Sequence, residues 1–258
     1  MERMNWKKIL LLCLPIVFAI SLAITLAACM AQAGKGINDS PLDDSTTAAT
    51  PPTDTPVIND QSNASKGLKY ISRGDGSCIL GGIGECSDSD IIVPKTSPEG
   101  DRVTTVATSA FMGCKTINTV ILPTGIATIG DYAFYNSSIK SIEIPASTEK
   151  IGDCAFAGCT SLAAITINTE NETYCSIDGV LFSKDKSVLI CYPAGKPDES
   201  YTIRLSVGII NSAAFLNCTH LKSVSYNGDS KQWANVKIGA NNGSLTSLKV
   251  SFLKADTK

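Results

Sequence analysis

"IGDCAFAGC" runs from Ile151 to Cys159, and "IGDYAFYNS" starts at Ile129. An active site needs one constellation of groups, so its signature is written once; a phrase that returns describes architecture. Aligned on the Ala-Phe pair, the chain gives Ala110-Phe111, Ala133-Phe134, Ala155-Phe156 and Ala214-Phe215, spaced 23, 22 and 59 residues apart. The first two intervals are a solenoid period. After each Phe comes an apolar string: Ile117, Val120 and Leu122; Ile139, Ile142 and Ile144; Leu162, Ile165 and Ile167; Leu221, Val224 and Tyr226. The last two members of each set alternate with small or polar neighbours, the pattern of a half-buried strand. Pro123 and Pro145 end the strand by removing a ladder donor. Gly130 and Gly152 are expected to supply a corner with backbone angles that a β-carbon would penalise. Phe is then the inward filler, and Ala allows close backbone approach. A unit of about 22 residues cannot bury its apolar side alone, so stacked neighbours complete the core.

These frames, "VTTVATSAFMGCKTINTVILP" from Val103, "IATIGDYAFYNSSIKSIEIP" from Ile126, "EKIGDCAFAGCTSLAAITIN" from Glu149 and "GIINSAAFLNCTHLKSVSYN" from Gly208, resemble the BspA-type leucine-rich repeats of bacterial surface proteins. The resemblance implies an α/β repeat solenoid: a right-handed superhelix with a parallel β-sheet on one face, short helices or turns opposite, and a β-hairpin insert. It places an N-terminal capping β segment at 67–102 and the repeat domain at 103–258. Within that domain it puts a hairpin insert near 170–203 and a C-terminal cap near 225–258. The frames depart from the pattern locally. Repeat two lacks one residue between Phe134 and Ile139, Asn211 replaces the corner glycine, and Arg204 stands where a strand-ending proline is expected.

At the amino end, Arg3, Lys7 and Lys8 precede an apolar run from Ile9 to Ala28, the layout of an export signal. That run is also about as long as a bilayer-spanning helix, so an uncleaved anchor is the competing reading. Leu26-Ala27-Ala28-Cys29 resembles the lipobox of bacterial lipoproteins, which implies cleavage after residue 28 and lipidation of Cys29. Both readings leave the rest of the chain outside the cell, attached to a membrane. Residues 29–66 are rich in Ser, Thr, Pro and Asp and cannot bury enough surface to offset chain entropy. They are expected to form a disordered stalk with a reach on the order of 30 Å.

The whole chain carries 22 basic and 24 acidic side chains. With that balance, the basic stripe a nucleic-acid partner requires is not expected. No phosphate loop, dinucleotide fingerprint or nucleophile elbow is present, and no cofactor is expected. Of ten cysteines, Cys114, Cys159 and Cys218 share one repeat position and are expected to pack as small apolar groups. Cys78 and Cys86 form the pair to test first for a disulfide. With no CxxC spacing, a zinc site is not expected. The sole histidine, His220, lies two residues beyond Cys218, so a Cys-His pair is sterically possible. Cys218, however, occupies the core-facing repeat position.

In a leucine-rich solenoid, the outward strand positions form a continuous surface, the usual binding face. Here those are Asn118, Thr119 and Ile121; Lys140, Ser141 and Glu143; Ala163, Ala164 and Thr166; and Lys222, Ser223 and Ser225. The family resemblance implies a non-catalytic role in protein binding or adhesion, to host matrix, a host-cell receptor or other bacteria. A structural spacer without a specific ligand is the alternative. A second surface element is Arg73-Gly74-Asp75, followed by Gly76. Asp-Gly between two strand-like runs signals a hairpin tip, and the triplet resembles the element by which matrix proteins engage integrins.

Overall fold

The computed structural model describes residues 63–254. Lys69–Ser72 (β1) and Ser77–Gly82 (β2) pair antiparallel at the amino end. Two short strands then recur in each coil. The first series is Asp90–Ile92 (β3), Thr119–Ile121 (β5), Ser141–Ile144 (β7) and Ala164–Ile167 (β9), joined in that order as a parallel sheet. The second is Arg102–Val106 (β4), Thr128–Ile129 (β6) and Lys150–Ile151 (β8), which extends the hairpin as β1-β2-β4-β6-β8.

Tyr174–Ile177 (β10), Val180–Ser183 (β11) and Val188–Cys191 (β12) follow as antiparallel neighbours. The turn between β10 and β11 is Asp178-Gly179, with φ of 53° and 80°, the angles of a two-residue hairpin turn. Parallel stacking then resumes. Ser200–Ile203 (β13), Ser223–Tyr226 (β15) and Ser251–Phe252 (β17) form one parallel sheet. Ile209–Ile210 (β14) and Lys237–Ile238 (β16) add to β12 in another. Ser230–Trp233 (α1) and Gly243–Thr246 (α2) are one-turn helices near the carboxyl end.

The chain is therefore a β-solenoid of stacked coils in which helices are few. The side expected to hold helices or turns holds turns in the coils of Phe111, Phe134 and Phe156. The residue before each Ala-Phe pair has positive φ, 57° at Ser109 and 55° at both Tyr132 and Cys154. The second residue after each Phe does so too: Gly113, Asn136 and Gly158. Two left-handed residues four positions apart cannot sit in a right-handed helix. They wind the chain into a double turn whose amides bond the next coil. Phe111 N–H donates to the Ala133 carbonyl at 2.7 Å, and Phe134 N–H to the Ala155 carbonyl at 2.8 Å.

Gly130 and Gly152 act differently from expectation. Neither has positive φ. A β-carbon at Gly130 would lie 2.5 Å from Thr108 N, and one at Gly152 would lie 2.4 Å from Asp131 N. These glycines let one coil's corner rest on the backbone of the coil before it.

The interior is a column of rings. Phe111 stacks on Phe134 at 5.1 Å and 6°, and Phe134 on Phe156 at 5.5 Å and 10°. In the later coils Tyr192 stacks on Phe215 at 5.3 Å and 16°. Tyr192 N–H bonds the Ala214 carbonyl, as the Phe111 and Phe134 amides bond the coil ahead of them. Tyr192 thus holds the Phe position of a coil that the Ala-Phe alignment misses. Leu189 pairs with Ile210, yet Tyr192 follows Leu189 by three residues whereas Phe215 follows Ile210 by five. The stretch 170–203 is accordingly not all insert: β12 and β13 are coil strands paired in parallel with later coils. The shortened coil also explains Asn211. Its neighbour lacks two corner residues, so no glycine is required there.

Two buried asparagines finish the backbone accounting. Asn171 Nδ2 donates to the carbonyls of Pro145 and Thr148, both at 2.9 Å, while its Oδ1 accepts from Thr173 and Tyr174 N–H. Asn242 Oδ1 accepts Phe215 N–H at 2.9 Å, taking the place of the carbonyl of a further coil. Each satisfies groups that would otherwise be buried unpaired.

Candidate functional site

Alternation along the strands of the β3–β9 sheet points Val120, Ile142 and Ile165 into the core and leaves the flanking residues outside. Register aligns them in columns: Asp90, Thr119, Ser141 and Ala164 in one, Ile92 and Ile121 in another, Glu143 and Thr166 in a third. Thr119 Oγ1 donates to Asp90 Oδ1 at 2.7 Å, and Thr166 Oγ1 to the Ile142 carbonyl at 3.2 Å. Ile121 is 45% exposed, which packing of this coil does not require. Lys140, Ser141, Glu143 and Ala163 are exposed, and Asn118 is half-buried. Ala164 is partly covered, since a β-carbon on Gly179 would lie 2.8 Å from its own.

The twelve expected positions do not share one sheet. Nine lie on or beside the β3–β9 sheet. Lys222, Ser223 and Ser225 lie on or beside the β13–β17 sheet, which is not hydrogen-bonded to the first. The continuous surface is interrupted because β10 and β11 enter the chain between the two sheets, with Gly179 accepting Ile165 N–H at 2.9 Å. Lys222 is ion-paired with Glu199, and Ser225 exchanges a 2.8 Å hydrogen bond with Thr202. Asp90 and Ile92 are members of the first face that an Ala-Phe search does not reach. Their signal was the short apolar run Ile91-Ile92-Val93 ending at Pro94.

Arg73, Gly74 and Asp75 occupy the loop between β1 and β2, and all three are exposed. Asp75 Oδ1 accepts both the backbone N–H and the hydroxyl of Ser77, at 2.9 and 2.6 Å. Those bonds, with a smaller contribution from the Arg73 charge, hold its carboxyl below the usual range. The Arg73 guanidinium donates to Thr105 Oγ1 at 2.9 Å.

Cys29 lies outside the described residues. All eight described cysteines are free thiols, Cys78 and Cys86 included. Cys78 is buried with Sγ on the Asp101 carbonyl, while Cys86 closes a turn on the Ile83 carbonyl. Cys159 and Cys218 are buried as expected of core thiols, but Cys114 is only partly so. Cys159 Sγ bonds the Phe134 carbonyl and Cys218 Sγ the Tyr192 carbonyl, the same place one coil back. Burial pushes the Cys218 thiol up to about 12, the opposite of nucleophile activation, and His220 is exposed. Among the described residues, no cluster of three or more His, Cys, Asp or Glu could hold a metal ion. Nor is any helix among them long and apolar enough to cross a membrane.

The BspA-type leucine-rich repeat region matches residues 86–188 and 196–251, in six copies. The chain belongs to the BspA-type leucine-rich repeat family. The match is interrupted where this BspA-type protein has its shortened coil. Among solved structures it is similar to a leucine-rich cell surface protein from Faecalibacterium prausnitzii, at 31% identity and a TM-score of 0.51. That likeness covers 65% of this chain and 42% of the other, so the chain spans less than half of that relative. The pneumococcal vaccine antigen PcpA is 25% identical, with a TM-score of 0.35 over 63% of this chain and 50% of that one. A T. pallidum leucine-rich repeat protein is 24% identical, with a TM-score of 0.42 over 72% of this chain and 83% of that one. No curated protein matches the chain significantly. The family and fold are typically non-catalytic.

Proposed function

We propose that this BspA-type protein is an exported, lipid-anchored surface protein that binds a protein ligand through the outer face of the β3–β9 sheet. On this reading residues 1–28 direct export, Cys29 carries the lipid, 29–66 space the fold from the membrane, and the coils wind right-handed. The ligand is a host matrix protein, a host-cell receptor or a surface protein of another bacterium. The observation that carries the reading is the set of exposed outward side chains, Ile121, Lys140 and Glu143, which the fold does not use and which an apolar-and-charged protein patch would. Family membership and a relative described as a cell surface protein support it.

The face carries no aromatic or arginine cluster of the kind that anchors tight complexes. That favours the second reading, a spacer without a specific ligand. Full-length protein immobilised against matrix and cell-envelope fractions separates the two. Saturable binding that Lys140→Glu weakens supports the first; binding indifferent to both Lys140→Glu and Ile121→Asp leaves the spacer.

A further inference from the structure

The β1–β2 loop is built for something other than packing. A two-residue turn would close this hairpin; instead four residues, Arg73 to Gly76, project from it, and all four are exposed. Gly74 and Gly76 both have φ of 78°, and nothing lies within 4 Å of where a β-carbon would sit on either. Among the described residues the loop is therefore open at both glycines, and it is held in shape by its own bonds. Arg73 N–H donates to the Ser77 carbonyl, and Ser77 returns its N–H and hydroxyl to Asp75 Oδ1. This ring of bonds uses one carboxylate oxygen and leaves Oδ2 without a partner among the described residues. A carboxylate so held stays ionised and pre-oriented, which lowers the ordering cost of binding.

An exposed carboxylate with one free oxygen is a ready ligand for a hard divalent cation, which takes oxygen donors. Two residues away the Arg73 guanidinium donates to the Thr105 hydroxyl, a surface bond that a partner's carboxylate readily outcompetes. We propose that Arg73-Gly74-Asp75 is a receptor-binding turn for a protein that presents a divalent cation beside an acidic pocket, as integrins do. Asp75 Oδ2 completes the receptor's cation, and Arg73 swings from Thr105 to the receptor's carboxylate. The inference uses a different surface from the β3–β9 sheet and does not depend on it.

The competing account is that Asp75 merely closes its own turn. Asp75→Asn separates the two, because the amide oxygen still accepts both Ser77 bonds while the charge is lost. Full-length protein coated on a surface is offered to integrin-bearing cells in magnesium and manganese, with EDTA as control. Adhesion is expected to fall by at least about tenfold in Asp75→Asn and Arg73→Ala, the loss typical of a hot-spot contact. EDTA is expected to abolish it, and Lys237→Glu, at an exposed lysine of neither candidate surface, to leave it unchanged. Equal adhesion of Asp75→Asn and wild type overturns the proposal, as does adhesion that survives EDTA or a wild type that holds no cells. Capture of matrix or envelope proteins that depends on Lys140 but not Asp75 would leave the sheet-face reading standing while this one fails.

Discussion

From Val103 to Ile151 each coil grips the next with its backbone; between Asn168 and Gly195 side chains share that work. In the first region, strand ladders run along two sheets and turn amides bond forward at Phe111 and Phe134. In the second, Ile151 N–H donates to the Tyr174 hydroxyl at 2.8 Å, and Ser176 Oγ bonds the Ile165 carbonyl. Phe156 N–H meets no carbonyl of a following coil among the described residues. Buried apolar residues divide accordingly into two clusters, one reaching from Leu68 to Cys191 and the other from Val180 to Leu245. A regular repeat makes stacking a property of the backbone; where the repeat is shortened, individual side chains must be recruited, and the solenoid acquires a seam. Repeat proteins gain stability from nearest-neighbour interfaces, so a weakened interface divides their cooperativity.

The comparison can be strained from either side. The largest effect is expected from Phe134→Ala, since that ring is fully buried between Phe111 and Phe156. Urea unfolding should register a loss of about 3–5 kcal/mol, borne by the amino-terminal block. A carboxyl-terminal block that unfolds in step with it would mean the seam does not divide the molecule.

Asn171→Ala attacks the seam itself. It orphans the buried carbonyls of Pro145 and Thr148 and two amides, at about 1–3 kcal/mol for each group left dry. The two amides belong to the exposed Thr173 and the half-buried Tyr174 and regain water, so the two buried carbonyls set a total of about 3 kcal/mol, read as a separation of two unfolding transitions. A single transition shifted by less than about 1 kcal/mol would show that water replaces the side chain.

Tyr192→Phe gives the smallest change, and in the opposite direction. The Tyr192 hydroxyl is buried with no hydrogen-bond partner among the described residues, and desolvation and the nearby Asp198 carboxylate hold it protonated. Restoring the ring used by the other coils should leave stability unchanged or raise it by about 1 kcal/mol. A clear loss would reveal a bond to that hydroxyl and a seam less improvised than described.

Much of this was written in the sequence, and the rest was hidden for definable reasons. The Ala-Phe period fixes which coils stack, because large buried rings admit few substitutes. Alternation after each Phe picks out Val120, Ile142, Ile165 and Val224 as inward and their neighbours as outward. The coil of Tyr192 escaped because two corner residues are missing and Tyr replaces Phe, which together erase the spacing. Gly130 and Gly152 were legible as necessary but not for their reason: a glycine chosen for close approach and one chosen for positive φ look alike in a sequence. The left-handed positions at Gly113, Asn136, Gly158 and Asn217 did carry a signal, Gly or Asn two residues after every Phe. Those at Ser109, Tyr132, Cys154 and Ala213 carried none, because the surrounding stack imposes the angle. Splitting of the outward face could not be read at all, since it depends on where the β10–β11 hairpin lodges.

Residue-level amide hydrogen exchange on the native protein tests the seam most directly, because it compares equivalent amides in successive coils. The Phe134 amide, bonded to the Ala155 carbonyl, should be strongly protected, while the Phe156 amide one coil later should exchange far faster despite its buried ring. Equal protection at the two positions would mean the turn ladder runs on unbroken, and the division into two blocks would fall.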